Sequence, residues 1–135
     1  MDSPRRYAFE VSAVLPAPAD AIYGAWMSSA GHSAMTGADA EVDPRPGGAY
    51  SAWDGYITGR TLELEPGRRI VQSWRTSEFG PDQEDSRIEV LLEPVEDGTQ
   101  VTIRHSNVPA DQPGYEQGGW QESYFDPMRE YFAAL

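Results

Sequence analysis

The chain of 135 residues lacks cysteine and lysine, and its ten cationic residues are all arginine. Without cysteine there is no disulfide, no thiol nucleophile and no thiolate metal site. No stretch reaches the roughly 18 consecutive apolar residues of a membrane-spanning helix. The first residues also lack the apolar run of a signal peptide. We therefore expect a cytoplasmic protein that binds no membrane.

Positive charge is scarce as well. There are 22 acidic residues against ten arginines, so the formal net charge is -12 at pH 7. Such a charge repels phosphate backbones and anionic lipid headgroups. We predict no nucleic-acid partner. The length suits one folded domain over residues 1–135, either as a monomer or as a homodimer.

Motifs for metal and cofactor chemistry are missing too. There is no GxSxG turn, no phosphate-binding loop and no dinucleotide fingerprint. The two histidines, His32 and His105, stand in segments without HExxH spacing. The acidic run Asp82–Asp85 lacks the spacing of a calcium loop, so it is interpreted as a solvated loop. We predict no metal and no cofactor.

Alternation of apolar and polar residues is the strongest positive pattern. In Tyr7–Leu15 and Ser86–Glu93 apolar side chains recur at every second position, as in strands with one buried face. Tight turns such as Asp54-Gly55 separate further runs of this kind, which predicts an antiparallel meander of six or seven strands. Two short helices, Ala19–Met27 and Ser29–Met35, are predicted after the first strand.

The C-terminal stretch has helical periodicity. Trp120, Tyr124, Met128 and Tyr131 lie on one broad aromatic face, and Pro127 predicts a bend within this helix. Because the face must be covered, we expect the helix to pack on the concave face of the sheet, with any ligand between the two.

Three polar residues interrupt apolar strand faces. Arg60 shares its alternation with Leu64, Gln72 shares its alternation with Trp74, and His105 continues an apolar face. Each either points into the space between sheet and helix or lies at an exposed edge, and His105 is alternatively a structural histidine with hydrogen-bonded nitrogens. An inward Arg60 would favour an uncharged or anionic ligand.

The order of several motifs resembles a known family. The motifs are Ile22-Tyr23-Gly24-Ala25-Trp26, Arg45-Pro46-Gly47-Gly48-Ala49-Tyr50, Gly59-Arg60, Arg69-Ile70-Val71, Gly118-Gly119-Trp120 and Tyr124-Phe125-Asp126-Pro127-Met128. Together they are similar to proteins like the activator of heat-shock protein 90 ATPase, in the START-like (SRPBCC) superfamily. The resemblance implies an α+β helix-grip fold, in which a curved antiparallel sheet wraps around a long C-terminal helix and two short helices follow the first strand.

The resemblance also frames three hypotheses of function. The superfamily usually binds hydrophobic small molecules between sheet and helix, and the activator branch instead stimulates a chaperone ATPase. We therefore expect a small apolar or aromatic ligand, with a protein-interaction module for a chaperone or other protein as the alternative. A cyclase-like enzyme is the third hypothesis, and His105 with a tyrosine or an acid would supply its acid–base pair. The predicted ligand-binding residues are Trp26, Tyr56, Arg60, Gln72, Trp74, Ile88, Val90, Ile103, His105, Tyr124, Met128 and Tyr131.

Overall fold

The structure is a computed structural model that describes residues 6–111 and 115–135. Its strands are β1 (Arg6–Leu15), β2 (Glu41–Val42), β3 (Ala49–Ala52), β4 (Ile57–Glu65), β5 (Arg69–Thr76), β6 (Ser86–Val95) and β7 (Gly98–Pro109). Its α-helices are α1 (Ala19–Trp26), α2 (Ser29–Thr36) and α3 (Asp126–Ala133). A turn with a kink at Gly118 (Tyr115–Gly119) and a π-helical turn (Gln121–Phe125) precede α3. No helix in these ranges is long and apolar enough to cross a membrane.

All seven strands belong to one antiparallel sheet in the order β1-β7-β6-β5-β4-β3-β2. The strands β1 and β2 are consecutive in sequence but lie at opposite edges, so α1 and α2 carry the chain across the sheet. The sheet, the two early helices and the C-terminal helical segment confirm the predicted helix-grip architecture.

Local signals explain where the early helices begin and end. Pro18 precedes α1, where its fixed φ suits a helix start. The Ser28 hydroxyl accepts a hydrogen bond from the Gly31 N–H and caps α2. Gly37 ends α2 in the left-handed conformation, with φ of 81°.

One face of the sheet forms the core and the other is charged. On β6 the inward side chains of Ile88 and Val90 are fully buried. On the outer face, Arg104 pairs with Glu10 on β1 and Glu89 on β6. Cross-strand pairs of this kind suit a solvated face, so the ligand space predicted by the sequence lies on the opposite side.

The alternation predicted for β4 is wrong in its first half. The pairing of β4 with β5 shifts register between Thr61 and Glu63, which is a β-bulge. Because a bulge inserts one residue, the inward face passes from Thr61 to Leu64 without the period of two. Thr61 is therefore fully buried. Arg60 is exposed, and its guanidinium donates to the Gly47 carbonyl over 3.0 Å.

The C-terminal segment is helical over the predicted range, but its geometry changes along its length. The Asp126 N–H bonds to the Gln121 carbonyl, five residues back, and α3 starts at the same residue. Pro127 therefore lies in the first turn of α3, and not in the interior of an α-helix as the sequence suggests. At this position its missing N–H has little cost.

Candidate functional site

A cavity of about 360 Å³ lies between the C-terminal helical segment and one end of the sheet. The β3–β4 hairpin, β5 and the two turns before α3 contribute its wall. The wall residues are Trp53, Tyr56, Ile57, Trp74, Tyr115, Gly119, Trp120, Ser123 and Tyr124. Six of these nine side chains are aromatic, so the site offers mainly ring faces and ring edges to a ligand.

The aromatic wall is one connected cluster. The rings of Trp74 and Tyr115 meet edge to face, with centroids 5.1 Å apart at 81°. Trp120 lies 5.7 Å from Trp74 and 5.0 Å from Tyr124, tilted against both. Such geometries are favourable between aromatic quadrupoles and fix the rings in place. The wall is thus preformed on β5 and the helical segment.

The hairpin beside the cavity has an unusual loop. Ala52 pairs with Ile57, so the loop spans residues 53–56 and not only the predicted Asp54-Gly55 turn. Trp53 has a φ of 53° and Asp54 a φ of 59°. For a bulky side chain such as Trp53 this left-handed conformation is an outlier. Its indole nitrogen is also buried without a hydrogen-bond partner.

The rim of the cavity is polar and acidic. The Tyr56 side chain is 37% exposed, and its hydroxyl donates to a carboxylate oxygen of Glu78. Partial burial and this hydrogen bond raise the pKa of Tyr56 to about 12. The tyrosine is therefore protonated at neutral pH, and a carboxylate lies at the entrance.

A buried histidine supports the inner end of the wall. The Tyr124 hydroxyl donates to Nε2 of His32 over 2.8 Å, and His32 Nδ1–H donates to the Trp26 carbonyl over 3.0 Å. These partners assign His32 as the neutral Nδ1–H tautomer. Burial lowers the pKa of His32 and raises that of Tyr124. The pair holds the Tyr124 ring in position.

His105 has no free ring nitrogen. The Ser86 hydroxyl donates to the Trp74 carbonyl over 2.9 Å, so His105 Nε2–H donates to the Ser86 oxygen over 2.7 Å. The Trp120 indole N–H donates to His105 Nδ1 over 3.2 Å. Burial lowers the pKa of His105 to about 3. The geometry favours the hypothesis that His105 is a structural histidine over the hypothesis that it is a polar group of the ligand site.

Gln72 is also satisfied within the protein. Its side-chain oxygen accepts from the Trp26 indole N–H over 3.1 Å, and its amide nitrogen donates to the Thr61 hydroxyl over 3.2 Å. The residue is 1% exposed. Gln72 thus crosslinks α1 to β5 and β4 beneath the helical segment.

The twelve predicted site residues separate into three groups. Tyr56, Trp74 and Tyr124 line the cavity. Arg60 is exposed on the other side of β4, and Tyr131 is partly buried against the core. The remaining seven are buried core residues outside the cavity wall: Trp26, Gln72, Ile88, Val90, Ile103, His105 and Met128.

Six wall residues were missing from the predicted set. Trp120 belonged to the aromatic helix face, and Gly119 and Ser123 lie beside it four residues apart, whereas Tyr115 comes before the kink at Gly118. That spacing is a usable signal for the wall. The remaining two, Trp53 and Ile57, flank the Asp54-Gly55 turn, and only the packing of the hairpin against the helical segment brings them to the site.

Comparison with known proteins identifies a family that the chain matches. A family model described as Activator of Hsp90 ATPase homolog 1-like protein matches residues 16–133. An uncharacterized protein of Schizosaccharomyces pombe is 30% identical over 116 residues, which cover 86% of this chain and 34% of that protein. The human Activator of 90 kDa heat shock protein ATPase homolog 1 is 26% identical over 99 residues, covering 73% and 29% respectively.

The fold is also similar to that of solved structures. The crystal structure of an HSP90 activator from Plasmodium falciparum superposes with a TM-score of 0.83 at 22% identity, covering 94% of this chain and 96% of the other. The chain spans about a third of the length of the curated relatives that it matches. Since the family model covers most of the sequence, the chain belongs to the family of Activator of Hsp90 ATPase homolog 1-like proteins.

Proposed function

We propose that this protein binds a small apolar or aromatic molecule in the cavity between the sheet and the C-terminal helical segment. The cavity itself carries the proposal: its volume is about 360 Å³, and six of its nine described wall residues are aromatic. Ligand pockets typically begin at about 300 Å³ and combine apolar walls with a few polar groups. Here the Ser123 and Tyr56 side chains supply hydroxyl groups beside the rings.

The side chains of the wall are held in place by the protein, which favours ligand binding. Trp74 and Trp120 are 4% and 3% exposed, and Trp120 is hydrogen-bonded to His105. A preformed wall avoids the cost of ordering side chains when a ligand enters. The single sheet around one core also supports the prediction that residues 1–135 form one domain.

Titration with N-phenyl-1-naphthylamine tests this function. The compound is uncharged and aromatic, and its fluorescence rises in apolar surroundings. We expect saturable binding, with quenching of the intrinsic tryptophan emission because three of the four tryptophans line the cavity. Ser123→Phe places a ring in the cavity and should raise Kd at least tenfold.

Ser12→Phe is the matched control. Ser12 is exposed on β1, where it pairs with Thr102, and it is not a wall residue. This variant should bind the probe as the native chain does. If the probe does not bind, or if Ser123→Phe binds as tightly as Ser12→Phe, the proposed function is wrong.

A second candidate function follows from the relatives. Curated relatives are named activators of the 90 kDa heat shock protein ATPase, and these are matched over two thirds or more of this chain. On that basis the chain is a protein-interaction module that contacts a chaperone through its surface. Adding it to a purified 90 kDa heat-shock protein should then raise the ATPase rate, and Ser123→Phe should raise it equally. An unchanged rate would exclude this candidate.

The cyclase-like hypothesis loses the acid–base group on which it depended. His105 is outside the cavity wall and both of its nitrogens are bonded to protein groups. A general acid or base must reach the reacting atom. We therefore assign His105 a structural role only.

A further inference from the structure

We propose that the ligand carries a positive charge, as a quaternary ammonium or trimethylammonium group, and that the aromatic wall receives this group. The inference rests on the proposed function, since it names the chemical class of the molecule that the cavity binds. It reverses the expectation of an uncharged or anionic ligand, which depended on an inward Arg60.

Aromatic rings are the main feature that the wall offers to a charge. The rings of Trp74, Tyr115, Trp120 and Tyr124 surround the cavity at several inclinations, from 40° to 81° between neighbours. An aromatic face carries negative electrostatic potential, and differently inclined rings can present faces to one cation from several sides. Trp, which contributes three wall residues, provides the strongest such interaction.

Charge at the site has the complementary sign. None of the described wall residues is basic. Arg60 donates away from the cavity to Gly47, and Arg75 is held by the Asp85 carboxylate at 2.7 Å and by the Gly80 carbonyl at 3.0 Å. An anionic ligand would therefore find no described cationic partner in the wall.

Glu78 supplies the negative charge at the entrance. Its carboxylate accepts from the hydroxyl of Tyr56, a wall residue, so it lies beside the rim. The overall charge of -12 adds a field that attracts cations. Two donors of the wall, the Trp120 N–H and the Tyr124 O–H, are already committed to His105 and His32, and the Trp53 N–H is buried without a partner. A trimethylammonium group needs no hydrogen bond from any of them.

A matched pair of ligands isolates the effect of charge. Phenyltrimethylammonium and tert-butylbenzene have nearly the same shape and differ in whether a nitrogen cation or a carbon stands at the branch point. In titrations followed by tryptophan fluorescence and calorimetry, the cation should bind about tenfold more tightly. This is the scale expected for a cation that leaves water for several ring faces.

Two variants test which groups produce this preference. Glu78→Gln keeps an acceptor for Tyr56 but removes the charge, and at this exposed position the fold should be retained. We expect it to weaken binding of the cation several-fold and to leave binding of tert-butylbenzene unchanged. Trp74→Leu should further reduce the preference for phenyltrimethylammonium over tert-butylbenzene. Glu93→Gln, an equal charge change on the outer face of the sheet, is the control.

The outcomes separate this inference from the proposed function. If N-phenyl-1-naphthylamine binds but phenyltrimethylammonium binds no better than tert-butylbenzene, the cation inference is overturned and the proposed function stands. If N-phenyl-1-naphthylamine does not bind, the proposed function fails, and the cation inference that rests on it fails as well. If Glu78→Gln and Glu93→Gln weaken the cation equally, only the general field acts and the local role of Glu78 is wrong.

Discussion

The indole N–H of Trp120 donates to Nδ1 of His105 over 3.2 Å, which fixes His105 as a neutral side chain. Protonation of Nδ1 would place its N–H opposite the Trp120 N–H, and two donors cannot form a hydrogen bond with each other. The opposite nitrogen is committed to Ser86, whose own hydroxyl proton goes to the Trp74 carbonyl. This relationship joins β7 to the helical segment that forms the cavity wall, and it makes the fold sensitive to acid.

Stability should fall with pH through His105. The pKa of His105 is about 3 in the folded protein against an ordinary value of 6.5. Between these two pH values His105 is protonated in the unfolded chain but not in the folded chain. The stability present above pH 6.5 is therefore progressively lost as pH falls. Urea titrations at several pH values between 5.5 and 4.5 should show this contribution as about 1.4 kcal/mol per pH unit.

His105→Gln provides the comparison for this slope. Glutamine is polar but does not titrate. The free energy of unfolding of the variant should therefore fall less steeply with falling pH, and the difference in slope should correspond to about one proton. The remaining slope belongs to other groups whose pKa the fold lowers, such as His32 and Asp43. The slope is compared and not the absolute free energy, because the substitution also disturbs packing. Identical slopes would show that His105 is protonated in the folded state.

Two Trp→Phe substitutions should differ because one indole N–H is paired and the other is not. Trp120→Phe leaves Nδ1 of buried His105 without a donor, so we expect a loss of about 1–3 kcal/mol in the free energy of unfolding. Trp53→Phe removes a buried N–H that has no partner, so it should cost much less. Both variants lose similar volume, and urea unfolding measures the difference. Equal losses would mean that packing alone sets both values.

The sequence predicted the sheet, the two early helices and the helical C-terminus because each depends on a regular period. It failed where a local irregularity changed that period. Counting back by twos from the inward Leu64 gives Arg60 as inward, but the bulge before Glu63 puts Thr61 there. A bulge leaves no clear mark in the alternation of a strand that has polar residues on both faces.

The site was predicted in part for a different reason. Trp74 and Tyr124 were accessible to pattern reasoning because both lie on apolar faces of regular elements. The role of His32 was not, since its partner Tyr124 is 92 residues away in sequence. Which apolar residues line a cavity and which fill the core also depends on how the hairpin at Trp53 packs, and periodicity carries no information on that packing.

Gly59→Ala should be among the most damaging small substitutions. A Cβ at Gly59 would lie 2.0 Å from the Ser73 carbonyl oxygen and 2.8 Å from the Tyr50 ring. The Ser73 oxygen is held in place by the Tyr50 hydroxyl over 2.6 Å, so β4 and β5 must separate. We expect a cost of about 3 kcal/mol in thermal or urea unfolding.

Gly24→Ala is the matched control for that substitution. A Cβ at Gly24 meets no atom within 4 Å, and the residue lies in the interior of α1. Alanine there should stabilise the protein by about 0.5–1 kcal/mol through helix propensity. A stabilised or neutral Gly59→Ala would contradict the close approach of β4 to β5.

Tyr124→Phe should destabilise the fold through His32. The substitution keeps the ring in the cavity wall but removes the hydroxyl that donates to Nε2 of His32. The nitrogen is then buried without a donor, since His32 is 1% exposed, and this costs about 1–3 kcal/mol. Tyr131→Phe removes a hydroxyl of a partly exposed ring in α3 and should change the free energy of unfolding by less than about 0.5 kcal/mol.

A double-mutant cycle with His32→Leu separates this hydrogen bond from general packing. If the bond between Tyr124 and His32 accounts for the loss, Tyr124→Phe should cost markedly less in the His32→Leu background, because no nitrogen is left unpaired there. The aromatic wall is retained in both backgrounds, so ligand binding can be measured beside stability. An additive cycle would mean that the hydroxyl acts through some other contact, and the assignment of His32 as the support of the wall would fail.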